Sequence, residues 1–154
     1  TSQKAAQLEA VGMVTDAIWT DFNSDGLPDL ILVGEWMPIT LFENKKGKLI
    51  NSSEDKGLND SEGWWNSIAT ADFDQDGDMD LITAEHKGIS PKLQVWLNDS
   101  FGNFTLHIID EGKENHMGAF PFDIDNDGDY DIVGWGWYNW KDMHLWENQI
   151  IKDK

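Results

Sequence analysis

Three short stretches of this sequence pack carboxylates more densely than a surface turn requires. They read Asp21-Phe22-Asn23-Ser24-Asp25-Gly26-Leu27-Pro28-Asp29-Leu30, Asp72-Phe73-Asp74-Gln75-Asp76-Gly77-Asp78-Met79-Asp80-Leu81 and Asp123-Ile124-Asp125-Asn126-Asp127-Gly128-Asp129-Tyr130-Asp131-Ile132. Asp21 to Asp72 and Asp72 to Asp123 are each 51 residues. The chemistry this spacing suits is capture of a hard cation, which needs several oxygen ligands from a loop short enough to fold around it. Positions 1, 3 and 5 (Asp21, Asn23, Asp25; Asp72, Asp74, Asp76; Asp123, Asp125, Asp127) converge when such a loop wraps an ion. Gly at position 6 allows the turn, position 7 (Leu27, Asp78, Asp129) offers a backbone carbonyl, and Asp29, Asp80 and Asp131 at position 9 close the shell. A solvated Asp/Gly turn explains any one copy, but not three copies at constant spacing, because like charges this close repel without a counter-ion.

An EF-hand closes its loop with a bidentate Glu at position 12. Here that position is Leu32, Thr83 or Gly134, and the flanks are β-like rather than helical. Tandem loops of the dockerin kind fail for the same reasons.

The elements that position the loops repeat with them. A segment such as Ile68-Ala69-Thr70-Ala71 precedes each loop, and an apolar run follows it: Leu30-Ile31-Leu32-Val33, Leu81-Ile82-Thr83-Ala84, Ile132-Val133-Gly134-Trp135. A third segment ends in Asn: Leu41-Phe42-Glu43-Asn44, Val95-Trp96-Leu97-Asn98, Leu145-Trp146-Glu147-Asn148. A fourth, Lys48-Leu49-Ile50 and Phe104–Ile109, occurs in the first two copies. Four short strands (A to D) in each repeat of this length are the mark of a propeller blade. The expected fold is therefore all-β: three four-stranded propeller blades, approximately 14–53, 65–110 and 116–154, in one segment spanning 1–154, the last lacking its outer strand. Phe42, Trp96 and Trp146 share one slot and are expected in the core between blades, with Trp19 and Trp135 also in the core.

The pattern Asp-x-[Asp/Asn]-x-Asp-Gly-x-x-Asp-[Leu/Ile], with strands on either side, resembles the FG-GAP/VCBS repeats of integrin α-subunit propellers, which also abound in secreted and surface proteins of bacteria. The resemblance covers nearly the whole chain. It implies Ca²⁺ on each A–B hairpin, three ions per chain, a propeller, and an extracellular or cell-surface setting. It is not specific for function.

Composition narrows the partners. The chain carries 29 Asp and Glu against 11 basic residues, all Lys, for a net charge of -18. A surface so acidic argues against nucleic acid and anionic membranes, and no apolar run approaches a membrane span. There is no Cys, so no disulfide or thiolate-metal framework exists. Lys-only basic usage without Cys points towards a bacterial secreted or surface protein.

In a propeller the B–C and D–A loops lie opposite the A–B hairpins. Those loops hold Glu35-Trp36-Met37, Trp64-Trp65-Asn66, Glu85-His86-Lys87, a Lys113–His116 segment, and Trp137-Tyr138-Asn139-Trp140. Aromatic rings beside amides and acids suit saccharides, with Trp64, Trp65, Trp137, Tyr138 and Trp140 as stacking candidates. The favoured function is a calcium-binding module for extracellular carbohydrate or protein binding. The alternatives are the propeller part of a polysaccharide-degrading lyase or glycoside hydrolase, and a structural spacer. For the enzyme reading His86, His116, Glu35 and Glu85 are available, but no pair has a spacing that demands catalysis, so no catalytic residue is assigned. The expected partners are a glycan or surface-protein ligand and, because three blades do not close a ring, other blades of a longer chain or a second copy.

Overall fold

A computed structural model describes residues 6–113, 115, 117–136 and 143–149. The fold is all-β and antiparallel. The first blade is β1 (Met13–Thr20), β2 (Asp29–Met37), β3 (Thr40–Asn44) and β4 (Leu49–Asn51). The second is β5 (Gly63–Ala71), β6 (Asp80–Glu85), β7 (Lys92–Asn98) and β8 (Phe104–Glu111). The third sheet contains β9 (Ala119–Phe122), β10 (Asp131–Trp135) and β11 (Met143–Trp146). Strands pair in chain order within each blade, as expected for propeller-type FG-GAP blades. The last residues of β2 also pair with the first of β5 (Glu35 with Trp64, Met37 with Gly63), which makes the first two blades one continuous sheet.

The B strands β2, β6 and β10 read as apolar runs because neighbours cover both of their faces. Ile31 and Val33 of β2 turn toward the second blade and join Trp65, Ile68, Leu81, Trp96 and Phe104 in one core. Leu30 and Leu32, one step out of phase, pack with Phe42, Leu8 and Val11 on the other face. In the same way β6 sends Leu81 to the first core and Ile82 and Ala84 to a second, shared with Ala119, Ile132 and Trp146 of the third blade.

The expected interior slot is confirmed for Phe42 and Trp96, both buried, and Trp146 packs against its core while partly exposed. Trp19 corrects the expectation. It lies on β1 with more than half its surface exposed (57%), because strand alternation turns it away from Ile18, which meets the core. Trp135 is half-buried, its ring stacked on Phe120 at 5.6 Å.

The first and second blades are each pinned to the next by the second residue of the acidic hairpin. Phe22 is fully buried, its ring 6.2 Å from Phe104 in the second blade. The backbone at Gly102 passes so close that a Cβ there would sit 2.3 Å from the Phe22 ring. The carbonyl of Phe22 accepts a hydrogen bond from Asn98 Nδ2 at 2.7 Å, and that of Phe73 accepts one from Asn148 Nδ2 at 2.9 Å. The same two amides donate to their own hairpins, at Met79 O and Tyr130 O. Asn44 makes the own-hairpin bond, to Pro28 O, from an exposed position.

That asymmetry yields a controlled comparison. Asn98→Ala leaves two carbonyls and two backbone N–H groups without the amide, two of the four bonds being buried. It should cost about 2–4 kcal/mol in urea denaturation. Asn44→Ala, at the exposed equivalent, should cost about 1 kcal/mol or less. Equal losses at the two positions would refute the inter-blade role.

Candidate metal centres

The acidic hairpins β1–β2, β5–β6 and β9–β10 fold by the same local bonds. The position-3 side chain accepts the position-5 N–H, from Asp25 to Asn23 and from Asp127 to Asp125. The position-5 carboxylate then accepts the position-7 N–H: Leu27 to Asp25, Asp78 to Asp76, Asp129 to Asp127. Position 1 accepts the N–H of the turn glycine, Gly26 to Asp21 and Gly77 to Asp72. The glycines stand at φ between +82° and +99°, as the sequence pattern requires.

Position 9 anchors each hairpin to the rest of the blade. Asp29, Asp80 and Asp131 are fully buried. Their Oδ1 atoms accept the backbone N–H of Asn44, Asn98 and Asn148 at 2.7, 2.8 and 2.8 Å. Oδ2 of Asp80 and Asp131 accepts the N–H of Phe73 and Ile124.

The second and third hairpins gather carboxylates into clusters that can hold a metal. One oxygen from each of Asp72, Asp74 and Asp80 lies within 4.8 Å of the others, and Asp123, Asp125 and Asp131 do the same. Among the described residues the first hairpin forms no such carboxylate triplet, since Asn23 replaces the second acid. Asp76 and Asp127 lie outside the triplets. Asp25 also donates its N–H to Asp21 Oδ1 at 3.0 Å, an extra bond that closes the first loop on itself.

Several of these oxygens are sealed from solvent without a hydrogen-bond donor. They are Oδ1 of Asp72, Asp74 and Asp123, and Oδ2 of Asp29. A buried carboxylate oxygen without a donor is expensive, and an oxygen-seeking cation is the partner that several of them together fit. Position 7 contributes more than its carbonyl. The motif assigns Asp78 and Asp129 a backbone-carbonyl role, yet their side chains are buried as well. Asp78 Oδ2 accepts from the Ser100 hydroxyl, and both oxygens of Asp129 lack donors among the described residues.

Burial and mutual repulsion raise these acids. Desolvation lifts Asp29 and Asp80 to about 6 against the opposing pull of their backbone donors. Asp129 is also raised to about 6, first by desolvation and then by Asp127, Asp131 and Asp125. Asp74 and Asp78 are raised, mainly by desolvation with their acidic neighbours adding to it.

At the other end of the strands the register brings Glu35 beside Trp64, and it shifts there between Glu35 and Met37 and between Trp65 and Ser67. Trp65 is not a ligand-facing ring, contrary to expectation. It is 2% exposed, donates its indole N–H to Ser61 O at 2.9 Å, and folds over Gly63, where a Cβ would sit 2.4 Å from the ring. Trp64 is half-buried and reaches the surface. Trp137, Tyr138, Trp140 and His116 lie outside the described residues.

Trp36, which spacing alone did not single out, is 59% exposed at a backbone φ of +53°. Its ring lies 4.7 Å from that of Trp64, tilted by 43°. His86 meets Trp64 edge-on at 5.5 Å, and the Lys87 ammonium is 5.0 Å from its ring centre. A bulge re-aims one side chain, which is why no repeat pattern points to Trp36. A left-handed conformation costs a residue of this size about 1–2 kcal/mol.

The raised acids set the pH response of the metal-free chain. A carboxylate whose folded pKa exceeds its unfolded value stabilises the protein below the unfolded value and loses that contribution as pH rises through the folded one. For Asp29 and Asp80 the window runs from the ordinary 3.8 to about 6. In chelator, the urea midpoint should therefore rise as pH falls from about 7 to about 5. Asp80→Asn should flatten that rise, and a midpoint that falls over the same range would contradict the assignment.

No curated protein matches the sequence. Residues 21–83 match the family model described as an FG-GAP-like repeat, a span running from the first acidic hairpin through the second. With the hairpins, the strand order and the blade-to-blade pinning in view, residues 21–83 are similar to the FG-GAP-like repeat family.

Proposed function

We propose that this protein is a calcium-binding propeller module of an extracellular or cell-surface protein, built to present a binding surface for carbohydrate or protein at the end opposite its calcium loops. The observation that carries the calcium reading is the convergence of sealed, donorless carboxylate oxygens in repeated hairpins. Asp72, Asp74 and Asp80 would hold one ion and Asp123, Asp125 and Asp131 another, with Asp76, Asp127 and the carbonyls of Asp78 and Asp129 completing the shells. The first loop would use Asp21, Asn23, Asp25, Asp29 and the Leu27 carbonyl. Calcium would neutralise acids that otherwise repel across the turn and would stiffen the hairpins that pin one blade to the next.

The binding role is supported by Trp36 and Trp64, which pair their rings at the end of the strands away from the hairpins and belong to none of the cores between blades. Among the described residues no helix is long and apolar enough to cross a membrane. The third sheet exposes Phe122, Ile124, Met143 and Leu145, a face that another blade of the same kind would cover.

Calorimetry on chelator-stripped protein should show three calcium ions per chain, the first hairpin binding weakest. Calcium at about a hundredfold excess over its Kd should stabilise the fold by about 2.7 kcal/mol per site, which raises Tm by roughly 5–10 °C. Asp72→Ala should remove one ion from the count. Absence of calcium uptake by the stripped protein would end this reading.

A further inference from the structure

We infer that the Trp36–Trp64 shelf at the junction of the first two blades is a saccharide subsite, with Trp36 as its stacking face and neutral pyranose rings as its ligands. The inference rests on the reading that the end opposite the acidic hairpins binds ligand, and it names the place and the ligand class.

Stability does not account for Trp36. Its ring contributes nothing to the cores, being 59% exposed, and its backbone occupies the left-handed region that glycine or asparagine fills at less strain. The bulge opposite β5 turns it outward over Trp64, and strain held at one exposed aromatic points to use. Trp64 beneath it is fixed in place: its backbone N–H donates to Glu85 Oε1, whose other oxygen accepts from Lys92 N–H.

Together the two rings line an open cavity of about 400 Å³ whose other walls include Glu62, Glu85 and Lys87. A flat apolar face with acceptors and a cation at its margin matches a sugar ring, whose axial C–H groups stack while its equatorial hydroxyls bond outward. The Trp64 indole N–H is sealed without an acceptor among the described residues. Trp36 lies in no core cluster. Two carboxylates against one ammonium leave the cavity net negative, which selects neutral sugars over uronic acids.

The test uses the whole chain in calcium, titrated with cellohexaose, xylohexaose and chitohexaose as neutral probes and with hexagalacturonate as the acidic one. Binding is followed by calorimetry and by the indole N–H resonances. The expected result is binding of at least one neutral probe with a shift of the Trp64 indole resonance, and a loss of about tenfold or more in affinity in Trp36→Ala. Trp36→Gly should lose binding equally while its Tm stays level or rises, because the strained position relaxes; a ring needed for folding would lower Tm. Trp19→Ala, an exposed indole at the hairpin end, should bind as the parent does. Undiminished binding in Trp36→Ala would overturn this subsite while leaving the module's binding role standing. Binding of hexagalacturonate in preference to the neutral probes would overturn the ligand class. A parent chain that takes calcium but none of the four probes would overturn both the subsite and the carbohydrate reading behind it.

Discussion

The second and third repeats are each organised around a buried aspartate that shares its two oxygens between the A–B hairpin and the C strand. Asp80 accepts one backbone N–H from Asn98 at the end of β7 and another from Phe73 inside its own hairpin. Asp131 does the same with Asn148 and Ile124. The carboxylate therefore ties the A–B hairpin to the C strand. The Asn that it positions then reaches across to the carbonyl of the preceding hairpin. A fully buried carboxylate is tolerated because charge-assisted donors surround it, and removing any one of them leaves a costly orphan. Hairpin shape, blade closure and blade-to-blade register thus share one group.

That arrangement makes the acidic loops part of the joint between blades. Their second residue is an apolar side chain that plugs the next blade, as Phe22 does beside Phe104 and Phe73 does within the second core. Anything that changes the loop's charge state acts on the joint between blades. Desolvation, with repulsion between neighbouring acids, holds several of these acids above their ordinary range. The same convergence of oxygens that makes these acids repel one another is what could hold a cation. The fold and the candidate metal chemistry are two uses of one geometry.

The opposite end of the strands follows different rules. There β2 and β5 exchange a few bonds across the blade junction, and the bulges relax the alternation that governs the rest of each strand. Adjacent indoles consequently take opposite fates. Trp65 closes over Gly63 into the core, while Trp64 remains at the surface beneath Trp36.

The sequence by itself determined the repeat, its 51-residue period, the strand order and the aspartates gathered at the hairpins, because each is local: spacing sets the turn, and alternation sets the face. It also placed Phe42 and Trp96 in the interior, since one slot recurs in every copy. Tertiary structure decided what local rules leave open. Which of Trp64 and Trp65 faces solvent depends on a bulge and on a neighbouring glycine. That Asn98 would bridge two hairpins depends on a partner 76 residues away. Trp36 emerged as a surface platform at a bulge, and Trp19 left the core because the packed face of β1 is the one that carries Ile18. A side chain's environment is set by the element packed against it, and a strand's own residues do not encode which neighbour, or which bulge, lies across from them.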